Sequence, residues 1–144
     1  MGLDMYLTAR EHAPYDAPRQ LDPHFDEFQV GSTTYEIGYW RKVNSVHKWF
    51  VDNVQSGNDD CGEYVVSESH LKELRSQVSS VLAAPSTASA TMPNQSGFFF
   101  GSTEYDGYYF DDLRETIKII DKALKWCELN GKGKYITIYY SSSW

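Results

Sequence analysis

Hydrophobic and polar residues alternate near both ends of the chain. Leu3, Met5 and Leu7 alternate with Asp4 and the residues that follow it, which is the period-2 pattern of a half-buried strand. Residues 135–140 show the same alternation, and residues 64–66 form a third, shorter strand candidate. The pattern predicts a small sheet in which the first and last strands pair.

Three other segments have apolar positions at the spacing of amphipathic helices. The first helix is predicted over residues 36–54, the second over 67–82 and the third over about 110–129. Ser67 is a suitable N-cap, because its side chain can accept a hydrogen bond from the first helical turn. Asn130-Gly131 is a typical end for the third helix.

The two remaining stretches lack a regular pattern. Residues 11–34 contain three prolines and few apolar anchors, so we expect an irregular arm. Residues 83–96 are small and polar, which is typical of a mobile loop. The chain is therefore predicted to be a single α+β domain, 1–144, with three helices packed on a small, mainly antiparallel sheet that includes the N- and C-terminal strands. A length of 144 residues suits one domain.

The first predicted helix contains a row of polar side chains. Arg41, Asn44 and Lys48 follow the spacing i, i+3, i+7, so they are expected along one side, where they could hold an anion. The alternative is a solvated face on which Asp52 is a local partner. His47 falls on the apolar side, where a ligand contact competes with a core or boundary position.

Trp49 projects from the polar side of the same predicted helix. An indole in that position must be covered by a loop, a partner chain or a ligand. Cover within the chain, by the arm 11–34 or the loop 83–96, remains an open alternative. Ile119 and Trp126 form a second apolar line on the third helix, which favours an oligomer contact by the same argument.

Residues 98–110 contain seven aromatic side chains in thirteen positions. Three of them are consecutive phenylalanines, and in an extended chain these cannot all face one way. Such a segment could stack a base, with Ser102 offering a hydroxyl beside it. A nucleotide would then place its base near Phe99 and Tyr105 and its phosphates toward the basic residues of the first helix. The alternative is that these aromatics are ordinary core.

The charge balance narrows the classes of partner. Thirteen Lys and Arg against twenty Asp and Glu give a net charge of −7, which argues against a sequence-independent nucleic-acid binder. No apolar run is long enough for a membrane span, and the N-terminus lacks the pattern of a signal peptide, so a cytoplasmic protein is expected.

The chain also lacks the motifs of common enzymes and cofactor sites. Its glycines form no phosphate-binding pattern, its four histidines are dispersed, and Cys61 and Cys127 are predicted to be free thiols. Turn chemistry is favoured over metal binding at Asp59-Asp60. We therefore expect no catalytic residue, no metal, no cofactor and no enzymatic activity.

Several blocks of the chain resemble a family of small proteins from tailed phages and prophages. The resemblance covers nearly the whole chain except residues 11–34 and 83–96. Members of that family are often labelled phosphoglycerate kinase, but 144 residues are too few for two α/β lobes and a nucleotide cleft. The similar blocks are the Met-Gly-Leu-Asp-Met-Tyr-Leu start, Tyr39-Trp40-Arg41-Lys42, His47-Lys48-Trp49-Phe50-Val51, Asp59-Asp60-Cys61-Gly62-Glu63-Tyr64, Gly97-Phe98-Phe99-Phe100-Gly101-Ser102-Thr103 and the Ser-Ser-Trp ending.

The resemblance implies a function in which a small signal is bound and not cleaved. Small accessory phage proteins of this size include sponges that sequester cyclic nucleotide immune signals, as anti-CBASS and anti-Thoeris proteins do. The expectation is a homo-oligomer, dimer or higher, in the host cytoplasm with a small nucleotide ligand. The candidate contacts, taken from the helix-face and aromatic arguments above, are Arg41, Asn44, His47, Lys48, Trp49, Phe99, Ser102 and Tyr105.

Two other functions remain open from the sequence. A protein-binding inhibitor or adaptor could mask a host protein with the acidic, aromatic surface, since interfaces are enriched in Tyr, Trp and Phe. A sponge should need Arg41 and Lys48, whereas a protein-binding inhibitor need not. The least favoured alternative is a small metal-dependent hydrolase that uses Asp59, Asp60 or His47.

Overall fold

Four antiparallel strands form one sheet. The computed structural model describes residues 2–13, 24–25, 27–132 and 135–144. The first and last strands pair over their whole length, from Asp4 opposite Ser143 to His12 opposite Tyr135, which confirms the pairing expected from the alternation. The strands are β1 (Asp4–His12), β2 (Ser32–Arg41), β3 (Tyr64–Val66) and β4 (Tyr135–Ser143), in the order β2-β1-β4-β3.

The helices form a second layer on one face of this sheet. On that face Met5 and Leu7 of β1 are fully buried, and Phe50 of the first helix stacks on Tyr140 of β4 with ring centroids 3.9 Å apart. The α+β class with both terminal strands in the sheet is confirmed, with four helices instead of three. They are α1 (Asn44–Asn53), α2 (Glu68–Ala83), α3 (Ala88–Thr91) and α4 (Gly107–Asn130). None of the helices in the described part of the chain is long and apolar enough to span a membrane.

The predicted helix over residues 36–54 is wrong in its first part. Residues 32–41 pair with β1 as β2, and the helix begins only at Asn44. β-Branched and aromatic residues are frequent in this strand. Trp40 is buried against the helices, where its ring lies 6.0 Å from that of Phe50 and its indole donates to Thr116 of α4 at 3.0 Å. Lys42 separates strand from helix with a left-handed φ of 56°.

Residues 83–96, predicted as a mobile loop without a regular pattern, are partly helical. They contain the end of α2, a 3₁₀ turn (Pro85–Thr87) and α3. Ala88 and Met92 are buried, and the Met92 carbonyl accepts a hydrogen bond from the Tyr109 hydroxyl at 2.7 Å.

The predicted arm over residues 11–34 is only partly irregular. Its two ends belong to β1 and β2, and residues 14–23 and 26 lie outside the described residues. Between them Phe25 and Phe28 are exposed and stack on each other, with centroids 5.0 Å apart.

The second and third predicted helices correspond to α2 and α4. Ser67 caps α2 as predicted: its hydroxyl accepts from the His70 backbone at 3.1 Å, and the His70 ring accepts in return from the Ser67 backbone. Across the layer Arg75 and Asp121 join α2 to α4 through two hydrogen bonds. The sheet and its layer of helices hold the strand ends in place. The candidate site lies at the end of the sheet where β1 begins and β2 and β4 end.

Candidate functional site

The predicted row of Arg41, Asn44 and Lys48 does not exist as one helix face. Arg41 ends β2, and its guanidinium donates to Asp4 at 3.1 Å. Lys48 lies on α1 and is paired with Asp52 at 2.7 Å. Because both cations already have a carboxylate partner, neither presents an unpaired charge to an anion.

Asn44 has an internal role. Its side-chain amide donates to the carbonyl oxygens of Phe100 at 3.0 Å and Ser102 at 2.9 Å, and its oxygen accepts from the Gln95 backbone at 3.0 Å. The residue is buried, so a bound ligand would have to displace these contacts. Asn44 thus ties the segment around Phe100 to the start of α1.

Trp49 is covered within the chain. It is buried, and its indole donates to Gln77 of α2 at 3.1 Å. Met92 and Pro93 line a cavity of about 120 Å³ beside it. The alternative in which residues 83–96 help to cover Trp49 therefore holds, and the indole is not free to contact a ligand.

The second apolar line on α4 is occupied as well. Ile119 and Trp126 are partly buried against the core. The Trp126 ring lies 5.2 Å from that of Tyr35, and a methyl of Ile119 fills the space above Gly38 of β2. The oligomer contact expected at these two residues is replaced by contacts with β2, because residues 36–41 form a strand there.

The three consecutive phenylalanines point in different directions. They form a tight turn in which the Phe100 backbone donates to the Gly97 carbonyl at 3.1 Å. Phe98 is 95% exposed, Phe99 is half-buried and Phe100 is buried. The Phe98 and Phe99 rings meet edge to face at 4.8 Å. As expected, at least one of the three leaves the core side, and that residue is Phe98.

The turn is held rigidly by the rest of the chain. The Leu3 backbone donates to the Phe99 carbonyl at 2.9 Å, in addition to the two bonds from Asn44. Gly101 has a φ of +86°, and a Cβ there would lie 3.2 Å from the Cβ of Lys42, so glycine permits both the conformation and the close approach. Phe98 is therefore presented on a pre-organised turn.

A buried polar network lies beneath this turn. The Nδ1 of His47 lies 2.6 Å from the Tyr140 hydroxyl, and its Nε2 lies 3.0 Å from both carboxylate oxygens of Asp59. The indole of Trp144 donates to the same carboxylate at 3.1 Å. Phe100 closes the network, with its ring edge to face on His47 at 5.3 Å.

The network fits a neutral imidazole, which accepts from Tyr140 and donates to Asp59. Burial lowers the pKa of His47, and the neighbouring Asp59 opposes that effect only in part. Burial also raises the pKa of Tyr140, so its hydroxyl stays protonated. Both ring nitrogens of His47 are thus engaged, and a ligand contact or a proton transfer by His47 would require one of these bonds to break.

The neighbouring acidic turn uses its side chains locally. Asp60 accepts from the Gly62 backbone at 2.9 Å and from the Tyr64 hydroxyl at 2.8 Å, as the turn interpretation predicts. Cys61 is an exposed free thiol and Cys127 a buried one. No group of three or more His, Cys, Asp or Glu side chains in the described ranges is arranged to hold a metal ion.

A small cavity beside the turn is acidic. Its volume is about 140 Å³, below the roughly 300–1,000 Å³ of typical ligand pockets. Burial and the nearby Asp111 and Asp106 raise the pKa of Asp112, which reflects the negative surroundings. A phosphate group would be repelled there. The polar and charged lining includes Lys42, Asn44, Ser102, Glu104, Asp106 and Asp112.

Ser102 and Tyr105 are also used within the chain. The Ser102 hydroxyl accepts from the Glu104 backbone at 3.1 Å, and the Tyr105 hydroxyl accepts from the Asn94 backbone at 3.0 Å. The Tyr105 ring packs edge to face on Tyr109 at 5.0 Å. Of the predicted ligand contacts, Phe99 belongs to the exposed turn and Arg41 lies beside it.

These residues define a surface at the end of the sheet where β1 begins and β2 and β4 end. We call it the aromatic end, and it comprises Phe98, Phe99, Trp144, Arg41 and Lys42. Trp144 is 47% exposed and the side chain of Arg41 53% exposed. The surface combines aromatic and cationic side chains, with Asp59 at its border beneath Trp144.

Sequence reasoning missed the partners of His47, namely Asp59 and Tyr140, and the bond from Trp144 to Asp59. The one available signal was a histidine on an apolar helix face, followed twelve positions later by an aspartate in a turn. Comparison with protein-family models, curated proteins and solved structures gives no significant match, so the resemblance to phage proteins stays a prediction.

Proposed function

We propose that this chain is a non-catalytic binding protein that docks on a partner protein through Phe98. The observation that carries the proposal is a phenylalanine left almost fully exposed at the tip of a rigid turn. Burying a phenylalanine side chain contributes about 1.5–3 kcal/mol. Since the turn is already fixed by Leu3 and Asn44, little conformational entropy is lost when Phe98 enters a pocket on the partner.

The rest of the aromatic end supports the same role. Trp and Arg are enriched among the residues that dominate binding energy, and Trp144 and Arg41 stand beside the turn. This surface contains the cations Arg41 and Lys42, and the carboxylate of Asp59 lies at its border under Trp144. Such a mixed-charge border favours one orientation of the partner over others.

The distribution of contacts favours a protein partner over a nucleotide. A sponge should need Arg41 and Lys48, but each is paired with a carboxylate and they lie on different elements. Asn44, His47 and Trp49 are buried and bonded within the chain. The masking of a partner protein, as inhibitor or adaptor, needs only the exposed aromatic surface. If the phage resemblance holds, the partner is a host protein.

Site-specific photo-crosslinking tests this proposal. A benzoylphenylalanine replaces Phe98 in one variant and Leu129 in the other. Leu129 is a matched control, because it is 68% exposed and lies near the C-terminal end of α4, outside the sheet. In host cells, position 98 is expected to crosslink to one partner protein at near-equal stoichiometry, and position 129 is not. Equal labelling from both positions, or no adduct from a folded position-98 variant, would contradict the proposal.

A second candidate is sequestration of a small cyclic nucleotide. Arg41 and Lys42 lie next to Phe99, because Leu3 bonds to both the Phe99 carbonyl and the Lys42 backbone. Bases could stack on the phenylalanine rings while phosphates bind Lys42 and compete with Asp4 for Arg41. This candidate places the phosphates outside the acidic cavity.

Thermal unfolding against cyclic dinucleotides, cyclic trinucleotides and ADP-ribose cyclisation products tests the second candidate. A true ligand raises the melting temperature, loses that effect in Arg41→Ala, and is recovered chemically intact. A folded protein that none of these compounds stabilises rules out this candidate and leaves the protein-docking proposal unaffected.

A further inference from the structure

We propose that the uncovered face of the sheet is a contact surface between two copies of this chain. All four helices lie on the other face, so in the described part of the chain no helix covers the side chains that point away from the core. A row of apolar and aromatic side chains crosses all four strands on that face. The row consists of two cross-strand pairs, Tyr39–Tyr6 on β2 and β1 and Tyr139–Val65 on β4 and β3. The pairs are offset by two residues, because Tyr6 lies opposite Ser141 and Tyr139 opposite Thr8.

The two pairs are diagonal neighbours across β1 and β4, and their side chains are half-buried or exposed. Tyr6 and Tyr39 are cross-strand neighbours whose ring centroids lie 5.5 Å apart. Tyr139 stands opposite Val65, which is 60% exposed, and the guanidinium of Arg10 lies 4.5 Å above the Tyr139 ring. Contiguous exposed patches of this kind mark interaction sites, and Tyr and Arg are enriched in them.

Both arginines on this face are paired with carboxylates of the chain, and Glu36, opposite Thr8, is the one carboxylate of the face without an ion pair in the described strands. Arg41 is paired with Asp4 at 3.1 Å, and Arg10 is paired with Glu63 at 3.0 Å. A protein with a net charge of −7 therefore has one face on which a second copy can approach with little like-charge repulsion. The same pairing leaves neither guanidinium unpaired for phosphates, which disfavours a nucleic-acid strand as the occupant.

The shape of the row suits a two-fold contact. Its midpoint lies between the two central strands, β1 and β4. A two-fold axis that passes through that point and lies in the plane of the contact, along the strands, places β2 over the partner's β3 and β1 over the partner's β4. Tyr39 then lies near the partner's Val65 and Tyr6 near the partner's Tyr139. Each copy would then supply the same aromatic and aliphatic groups that it receives, as an isologous interface requires.

The size of the face also fits a dimer. Strands of nine or ten residues at about 3.3 Å per residue, spaced about 4.8 Å apart, give a sheet area of roughly 500–600 Å² before side-chain relief is counted. A stable interface needs about 800 Å² of accessible surface from each partner. One second copy would therefore use the whole uncovered face, including the Arg41–Asp4 pair at its edge, while Phe98, Phe99 and Trp144 of the aromatic end lie outside that face.

Sedimentation equilibrium at micromolar concentrations tests this contact. The variants are Val65→Glu and Tyr39→Glu, and the matched control is Leu129→Glu on α4, where the leucine is 68% exposed. The wild type and Leu129→Glu are expected at twice the chain mass of 16.5 kDa. Val65→Glu and Tyr39→Glu should weaken association at least about tenfold, because each would place an unpaired carboxylate in the interface.

Circular dichroism of each variant confirms that it is folded. A wild type that sediments as a monomer at these concentrations overturns the proposal, and so does dimerisation that survives both substitutions on the sheet face. Equal weakening by Leu129→Glu would also overturn it, since that would place the contact on the helical layer. Crosslinking from position 98 is a separate readout, so the dimer and the docking function can fail independently.

Discussion

His47 shows how one buried side chain supports the candidate surface from below. Its two ring nitrogens join Tyr140 of the central sheet to Asp59 of the acidic turn, and Asp59 in turn holds the indole of Trp144. Replacing His47 would leave groups without partners, at about 1–3 kcal/mol for each buried group. The histidine therefore positions the aromatic end without touching a partner.

The same residue predicts a pH dependence of stability. The pKa of His47 in the folded state lies below its ordinary value of about 6.5, mainly because the ring is buried. As the pH falls through about 6.5, the unfolded chain binds a proton that the folded chain does not, so the free energy of unfolding decreases. The loss ends once the pH is below the folded-state pKa.

Urea unfolding at pH 7.5 and at pH 5.5 measures this effect. The wild type should lose stability between the two pH values, and His47→Gln should lose less, although it starts from a lower value. His12→Gln replaces an exposed histidine and should behave like the wild type. The assignment is wrong if His47→Gln retains the full pH dependence.

The elements show which parts of the fold the sequence could predict. α2 was predicted closely because its signals are local: Ser67 caps it and apolar residues repeat along one face. β2 was mistaken for helix because its aromatic residues continue the apolar pattern of α1. Residues 32–41 form a strand because they pair with β1, and the left-handed backbone conformation of Lys42 separates this strand from α1. Both features depend on contacts with parts of the chain that are distant in sequence.

The candidate site likewise combines features that local sequence predicts with features that depend on distant parts of the chain. Three consecutive phenylalanines predict that one side chain must leave the core, but they do not say which. That choice depends on hydrogen bonds from residues far away in sequence. The Leu3 backbone donates to the Phe99 carbonyl, and the Asn44 side chain donates to the carbonyls of Phe100 and Ser102. The predicted ligand row failed for the same reason, since it assumed that Arg41 shares a helix with Lys48.

At the scale of the whole molecule, the helices bury one face of the sheet and leave two surfaces with different chemistry. The uncovered face is broad and its arginines are paired with carboxylates, which suits a second copy. The aromatic end is small and carries an exposed phenylalanine beside two cations, which suits insertion into a pocket of a partner protein. A dimer would present two such ends, and two linked sites bind a multivalent partner more tightly than one.

The affinity of the captured partner for Phe98 variants tests the docking function most directly. Calorimetric titration would compare the wild type with Phe98→Ala and with the control Leu129→Ala. Truncation of a central aromatic anchor costs about 2 kcal/mol, so Phe98→Ala should raise Kd about 30-fold while Leu129→Ala leaves it unchanged. A folded Phe98→Ala variant that binds the partner as tightly as the wild type would contradict the role of this turn.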